Sequence, residues 1–92
     1  MENGQRWSIR KIGKRVVARD VAKALGYSSN QISGPIARYC GNRTKDLDVV
    51  TNQQVTVIDL DDVITFVSRA RTGISAEEKA DLITYVRNLL MH

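Results

Sequence analysis

A chain of 92 residues is long enough for one domain with a modest core and too short to divide into two. Hydrophobic residues make up 42% of the chain and charged residues 26%, which excludes the fibrous and intrinsically disordered classes. The formal net charge of +4 directs attention to polyanions as partners.

The positive charge is concentrated in the first half of the chain. Residues 1–45 contain ten lysines and arginines and only two acids, Glu2 and Asp20. Residues 46–92 contain four basic and eight acidic residues. Such an asymmetry predicts that one face of the fold meets a polyanion and that another face does not.

The cellular setting follows from cysteine usage and hydropathy. Cys40 is the single cysteine, so no internal disulfide can form, which favours a reducing compartment. No run approaches the roughly 18 consecutive apolar residues of a membrane-spanning helix. Residues 1–6 lack the apolar stretch of a secretion signal. We therefore expect a soluble, cytoplasmic protein without membrane contact.

The first predicted elements are two short strands, at residues 7–12 and 15–18, which turn at Gly13 to form a β-hairpin. From residue 19 or 20 the apolar spacing becomes helical, and Gly26 supplies a left-handed stop. The sequence therefore predicts a helix of about two turns directly after the hairpin.

A second helical segment follows this glycine. Ser28 or Ser29 can cap it, but the pair Gly34 and Pro35 interrupts the pattern because proline lacks an amide hydrogen. We expect a helical turn at residues 30–33 and a fresh helix from Pro35. Its buried side is predicted to use Ile32, Ile36, Ala37 and Cys40.

The next elements are a polar loop at residues 41–45 and a second hairpin. Two runs rich in β-branched residues, 47–50 and 55–60, flank a predicted turn at residues 51–54.

Two helices complete the chain. Asp59 or Asp61 can cap a helix over residues 62–71, and Ser75 with Glu78 forms a capping-box pattern that starts the last helix. The apolar face of that last helix is predicted from Ala80, Leu82, Ile83, Val86, Leu89 and Leu90. Together the elements predict a small single α+β domain with two short hairpins, about four helices and a helix-turn-helix-like unit near residues 19–40.

Catalytic chemistry has little support in this sequence. His92 is the only histidine and the last residue, where a general base is poorly held in register. Cys40 has no histidine near it in the sequence, which favours a small buried hydrophobe over a nucleophile. Asp59, Asp61 and Asp62 lack the glycine and distal glutamate of a calcium loop, which favours helix caps over metal ligands. We expect no enzymatic activity, no metal and no cofactor.

A short helix, a glycine turn and a second helix with small polar side chains are typical of units that place the second helix in the DNA major groove. Amide side chains pair with adenine and arginine pairs with guanine, while basic loop residues hold phosphates. The candidate base-contacting residues are Asn30, Gln31, Ser33 and Arg38, and the candidate phosphate-contacting residues are Arg43 and Lys45. For each of them an ordinary solvated surface position stays an open alternative.

Four cations flank the turn of the first hairpin and form a second candidate phosphate clamp. They are Arg10, Lys11, Lys14 and Arg15. The alternative is a solubilising edge that discourages strand pairing. The second hairpin could serve as the wing of a winged-helix fold, but Asp46 and Asp48 at its base are predicted to repel phosphates.

A family resemblance adds to this interpretation. It is clearest at residues 16–27, which read VVARDVAKALGY and closely resemble the opening motif of the BRO N-terminal domain. That module occurs in baculovirus repeated-open-reading-frame proteins and in phage and prophage antirepressors. Weaker similarities lie at residues 36–40, 55–58, 63–71 and 85–86. The resemblance implies one BRO-N-like domain over residues 1–92, an α+β fold, and a DNA-binding or antirepressor role in a virus or mobile element.

Two functional hypotheses from different classes follow. The first is a small regulator that binds double-stranded DNA through its first-half cations, with base preference supplied by residues 30–38 and Arg38 as the strongest single candidate. The alternative is an inhibitor that docks on a repressor or host defence protein without contacting DNA. A homodimer is left open, because no heptad pattern indicates one. The acids available for the alternative are Asp59, Asp61, Asp62, Glu77, Glu78 and Asp81, which otherwise serve as helix caps and first-turn acids.

Overall fold

The computed structural model of the protein describes residues 7–91, which fold into an α+β domain with four helices and a four-stranded antiparallel sheet. This confirms the predicted fold class. The helices are α1 (Ala18–Ala24), α2 (Ser33–Tyr39), α3 (Leu60–Arg69) and α4 (Ala76–Leu90). The strands are β1 (Lys11–Ile12), β2 (Arg15–Val17), β3 (Thr44–Asp48) and β4 (Gln53–Ile58). Residues 1–6 and His92 lie outside the described residues, so what the sequence predicts for them, including the charges of Glu2 and Arg6, stays a prediction.

The two hairpins share one sheet, with the strand order β1-β2-β4-β3. They are joined where Val16 lies opposite Ile58 and Val17 lies opposite Val57. All four side chains are buried, and β-branched residues suit such a pleated, buried surface. The centre of the sheet is therefore an apolar seam, and β1 and β3 are its edges.

Helix α1 follows β2 without a loop and ends at a glycine, as predicted. It begins at Ala18, one or two residues earlier than the spacing predicts. At its end Gly26 takes φ +101° and donates its N–H to the carbonyl of Lys23, while Tyr27 donates to the carbonyl of Ala22. These two bonds form a Schellman motif, which is the stop that glycine favours.

Helix α2 begins earlier than the proline pattern predicts. A 3-10 turn spans Ser29–Gln31, and α2 starts at Ser33 rather than at Pro35. Pro35 is the third residue of α2, where an amide has no partner within the helix, so its missing hydrogen costs nothing. The N–H of Ile36 already donates to the carbonyl of Ile32, at 3.2 Å. The predicted restart of the helix at the proline was wrong for this reason.

The turn of the second hairpin lies at residues 49–52, not at residues 51–54 as predicted. Asp48 fixes this position, because its carbonyl accepts the N–H of Asn52 at 2.7 Å and its Oδ1 accepts the N–H of Val50 at 3.1 Å. Asn52 takes φ +57°, a left-handed conformation that asparagine tolerates better than most residues.

This shift changes two assignments. Val49 and Val50, predicted to lie in a strand, are in the turn and are 80% and 88% exposed. Thr44 and Lys45, predicted to lie in a loop, begin β3 instead. The strand preference of valine depends on its context, and here the hydrogen bonds to Asp48 place both valines in the turn, so the predicted boundaries were wrong.

Side-chain caps start both of the last two helices. Asp59 accepts the N–H of Asp62 at 2.9 Å at the start of α3, and Ser75 accepts the N–H of Glu78 at 3.1 Å at the start of α4. Both predicted caps are confirmed, with Asp59 rather than Asp61 in the first of them. Helix α3 consequently begins two residues earlier than predicted.

The core surrounds Phe66 of α3, against which Tyr39 stacks with ring centroids 6.1 Å apart. Helix α4 contributes Leu82 and Val86, which are one turn apart and fully buried. Ala80 is exposed, so its predicted place on the apolar face was wrong. No helix within residues 7–91 combines the length and the apolar character needed to cross a membrane.

Candidate nucleic-acid interface

A groove of about 610 Å³ lies between α2 and the first residues of β4, and we call it the α2–β4 groove. Its lining mixes apolar and polar side chains, which suits a ligand with both apolar and hydrogen-bonding parts. The apolar lining residues are Val17, Ile32, Ile36, Ala37 and Val55, and the uncharged polar ones are Ser33, Thr51, Gln53, Gln54 and Thr56.

Every charged residue that lines the α2–β4 groove is basic. These residues are Arg10, Arg19, Arg43 and Lys45. Among residues 7–91, no carboxylate forms a salt bridge with Arg19, Arg43 or Lys45. Three cations without charge partners in the described chain therefore converge on one concave surface, which raises the local concentration of anions.

Arg10 differs from these three because two carboxylates hold its guanidinium. Nε and Nη2 donate to Asp20 at 2.9 and 3.2 Å, and Nη1 donates to Asp48 at 2.6 Å. The hydrogen bond to Asp20 is the largest cause that raises the pKa of Arg10, and the charge of Asp48 adds to it. We call these three residues the Arg10 bridge. The compensated charge counts against the predicted role of Arg10 as a phosphate contact.

Arg43 is held in the groove by the end of α2. Its Nη1 donates to the carbonyls of Cys40 at 3.0 Å and Ala37 at 3.4 Å, groups that a helix leaves without partners at its C-terminus. Within residues 7–91 the guanidinium makes no other hydrogen bond. Its remaining N–H groups are thus free to meet an anion.

Arg19 also lines the α2–β4 groove, although it was not among the predicted DNA contacts. It is the second residue of α1 and is exposed, with Ala22 on the buried side of the same helix. A helical wheel of α1 could have indicated this position, since Arg19 and Lys23 are four residues apart and lie on the same exposed face of the helix. Which of the two faces the groove is decided by the packing of α1, and only Arg19 lines it.

The predicted base-contacting residues divide between two surfaces. Ser33 lines the α2–β4 groove together with the predicted phosphate contacts Arg43 and Lys45. Arg38 is exposed but does not line it, because five residues along a helix place it about 140° around α2 from Ser33. Asn30 and Gln31 are also exposed and outside the groove. Their amide oxygens lie 2.8 and 2.9 Å from the hydroxyl of Ser28.

Of the four cations of the first hairpin, only Arg10 lines the α2–β4 groove, and Arg10 and Lys11 both line a second cavity. Lys14 is exposed in the turn, and Arg15 donates to the hydroxyl of Thr44 on β3. Lys11 lines a second, smaller cavity of about 390 Å³ beside the tip of the second hairpin. Only Arg10 reaches the α2–β4 groove, and its charge is already compensated.

The predicted repulsion of phosphates by the base of the second hairpin needs correction. Asp48 is 4% exposed, and its Oδ2 is paired with Arg10. Asp46 is exposed, but it follows Lys45 in β3, and successive side chains of a strand point to opposite faces. Lys45 lines the groove and Asp46 does not, so the hairpin presents a cation to it.

Cys40, Asp59 and Asp62 are engaged within the fold, whereas Asp61 is exposed. Cys40 is fully buried, and burial, helped by the negative charge of Asp62, raises the pKa of its thiol to about 12. Such a thiol stays protonated at neutral pH and is a poor nucleophile. Asp59 caps α3, and the carboxylate of Asp62 accepts the N–H of Asn42 at 2.9 Å. No cluster of potential metal ligands occurs within the part of the chain that the structure describes.

Comparisons with known proteins identify no relative. No protein-family model, no curated protein and no solved structure matches this chain. The resemblance to the BRO N-terminal domain therefore rests on residues 16–27 and the weaker similarities after them.

Proposed function

We propose that this protein binds double-stranded DNA by holding one phosphodiester strand in the α2–β4 groove. The observation that carries the proposal is the convergence of Arg19, Arg43 and Lys45 on one surface whose lining contains no acid. Arginine forks match phosphate oxygens in pairs, and lysine acts as a point charge.

The mechanism of this binding is electrostatic. Each phosphate neutralised by a cation releases condensed counterions from the duplex, so affinity falls as salt is added. Three contacts predict a slope of about −2.7 for the logarithm of the binding constant against the logarithm of salt concentration. Ser33, Gln53 and Gln54 line the same groove and supply hydrogen-bonding groups for phosphate or sugar oxygens.

Any base preference is assigned in this proposal to the outer face of α2 and the turn before it. Asn30, Gln31 and Arg38 are exposed there, beside the groove rather than in it. Arginine reads guanine and the amides read adenine in the major groove. A strand seated in the groove would bring an adjacent major groove toward these side chains.

The biological setting in the proposal comes from the family resemblance. A BRO-N-like module implies a regulator of transcription of viral, phage or prophage origin, of the antirepressor type, acting in the cytoplasm of its host. The basic groove and the short helical pair are compatible with that setting. Neither feature identifies the operator or the regulated promoter.

The test is a fluorescence-anisotropy titration of a labelled duplex at several salt concentrations. We expect measurable binding at low salt with the steep slope given above, and a loss in the Arg19→Ala and Lys45→Ala variants. Arg87→Ala is the matched control, because Arg87 is an exposed cation on α4 that does not line the groove. Absence of binding at low salt, or equal losses in all three variants, would refute the proposal.

A second candidate is the protein-binding inhibitor, which one specific observation favours. Leu47, Val49 and Val50 are 41%, 80% and 88% exposed at one end of the second hairpin, and contiguous apolar exposure is typical of protein interfaces. Of the six acids predicted for this alternative, Asp59 and Asp62 accept hydrogen bonds within the fold, so fewer are left to face a partner. Replacing both valines by serine would abolish binding to such a partner and leave duplex binding in place.

A further inference from the structure

We propose that Arg10 is a positioning residue, which sets the place of the second hairpin against α1 and thereby the shape of the α2–β4 groove. The expected effect of Arg10 on DNA affinity rests on the proposed function, whereas its effect on the position of the hairpin rests on geometry alone. It also separates Arg10 from the cations that contact phosphate, although all of them line the same groove.

The first end of the Arg10 bridge is anchored on α1. The backbone N–H of Arg10 donates to Oδ2 of Asp20 at 2.9 Å, and Nε and Nη2 donate to the same carboxylate. Asp20 lies in the first turn of α1, and its side chain is 11% exposed. Main chain and side chain of Arg10 are thus both fixed to the helix, which leaves Nη1 aimed at the hairpin.

The second end of the bridge is the residue on which the turn of the second hairpin depends. Asp48 accepts Nη1 of Arg10 through Oδ2, the N–H of Val50 through Oδ1 and the N–H of Asn52 through its carbonyl. Whatever holds Asp48 in place therefore holds the turn. Thr51 in that turn and Gln53 directly after it both line the groove.

The hairpin needs such a tie because β3 is an edge strand. It pairs with β4 on one side, and the sheet offers no strand on the other side. β4 pairs with β2 only at Val57 and Ile58, so no strand outside the hairpin holds residues 53–56 or the turn before them. Asp48 is 4% exposed, so its carboxylate depends on Arg10 for charge compensation, and loss of the pair leaves a buried charge unsatisfied.

Substitution of Asp48 tests this inference, because simple electrostatics and the Arg10 bridge predict changes in duplex affinity of opposite sign. Asp48→Asn keeps the shape of the side chain and an oxygen for the N–H of Val50, but removes the charge that holds Arg10. Simple electrostatics predicts tighter duplex binding, because a negative charge disappears near a polyanion. The Arg10 bridge predicts the opposite, a roughly fivefold weaker affinity, since the hairpin loses its place.

Asp46→Asn is the matched control. It removes the same charge two residues earlier in β3, from an exposed side chain whose Oδ1 accepts only the N–H of the next residue, Leu47. We expect this variant to bind the duplex as tightly as the unmodified protein or slightly more tightly. Opposite signs for the two substitutions cannot come from net charge.

The position of the hairpin is measured independently by amide hydrogen exchange. In Asp48→Asn and in Arg10→Gln we expect the amides of Asn52 and Val50 to exchange about tenfold faster. The amide of the buried residue Val86 in α4 reports global unfolding, and its exchange rate should stay unchanged. Arg10→Gln serves as the second variant if Asp48→Asn fails to fold.

The outcomes separate this inference from the proposed function. Weaker binding of Asp48→Asn with faster exchange in the turn supports the positioning role. Tighter binding, or unchanged exchange in both variants, overturns it. If the unmodified protein binds no duplex, the proposed function fails, and the exchange rates alone decide whether Arg10 holds the hairpin.

Discussion

The two hairpins of this domain differ in how their cations relate to the rest of the chain. The first hairpin carries Arg10, Lys11, Lys14 and Arg15 within six positions, yet only Arg10 lines the α2–β4 groove, and its charge is compensated by Asp20 and Asp48. The second contributes one cation, Lys45, but places it in a groove with Arg19 and Arg43. The density of charge along a sequence is therefore a poor guide to which cations the fold brings together.

The difference has a structural cause. A strand directs successive side chains to opposite faces, so cations that are close in the sequence of a short hairpin need not share a surface. The second hairpin faces α2 across a groove, so residues from three parts of the chain meet there.

The largest effect is expected from charge reversal on the two hairpins. Lys45→Glu and Lys14→Glu change the net charge equally, but only Lys45 lines the groove. We expect Lys45→Glu to weaken duplex binding roughly thirtyfold, about 2 kcal/mol, and to flatten the salt slope by about 0.9. Lys14→Glu should weaken it about twofold through long-range charge alone. Equal losses in anisotropy titrations would remove the distinction between the hairpins.

The second prediction concerns Cys40, the fully buried residue that directly follows α2 and precedes the second hairpin. Its thiol pKa is raised by burial from 9.0 to about 12, so its contribution to stability is complete below pH 9 and is lost as the pH rises toward 12. The reason is that the unfolded chain releases the thiol proton first. We expect this group to lower the free energy of unfolding by about 1.4 kcal/mol per pH unit in that window.

Urea denaturation at pH 8, 9 and 10 measures this effect, with Cys40→Ala as the comparison. The variant should lack the part of the pH dependence that belongs to the thiol, whatever its stability at pH 8. Parallel pH profiles for the two proteins would show that the Cys40 thiol is exposed to water and has an ordinary pKa.

The third prediction compares the two turns. Gly13 takes φ +63° and Asn52 takes φ +57°, so both turns use the left-handed conformation. Gly13→Ala should destabilise the fold by about 1 kcal/mol, because a Cβ is strained at this φ. Asn52→Gly should change stability by less than about 0.5 kcal/mol. Thermal unfolding followed by circular dichroism gives both values, and a large loss in Asn52→Gly would show that the asparagine side chain is needed.

The smallest effect is expected for Arg38, which lies outside the groove. Arg38→Ala should leave the salt slope nearly unchanged and weaken binding to a random duplex less than about twofold. If this side chain reads bases, the loss should reach about tenfold on preferred sequences selected from a randomised pool. A flattened slope on every duplex would instead place Arg38 among the phosphate contacts.

Sequence reasoning succeeds here where the signal is local. The glycine stop after α1 and the caps Asp59 and Ser75 depend on side chains within a few residues of the bonds they make. Sequence reasoning fails at Pro35 and at the turn of the second hairpin. At Pro35 the backbone amide has no hydrogen-bond partner within the helix, so the proline is tolerated, and at the turn the hydrogen bonds to Asp48 decide its position. Of the candidate site, Ser33, Arg43 and Lys45 are brought together, whereas Arg19 is missed.

By itself, the sequence determined the α+β class, the order of the elements and the excess of cations before residue 46, because composition, periodicity and capping act over short distances along the chain. Only the tertiary structure decided which cations meet. Arg10 and Asp48 are 38 residues apart in sequence, and their 2.6 Å contact exists only because the fold brings the end of β3 to the residue that precedes β1. Charge compensation depends on distance in space, and no spacing along the chain encodes that distance.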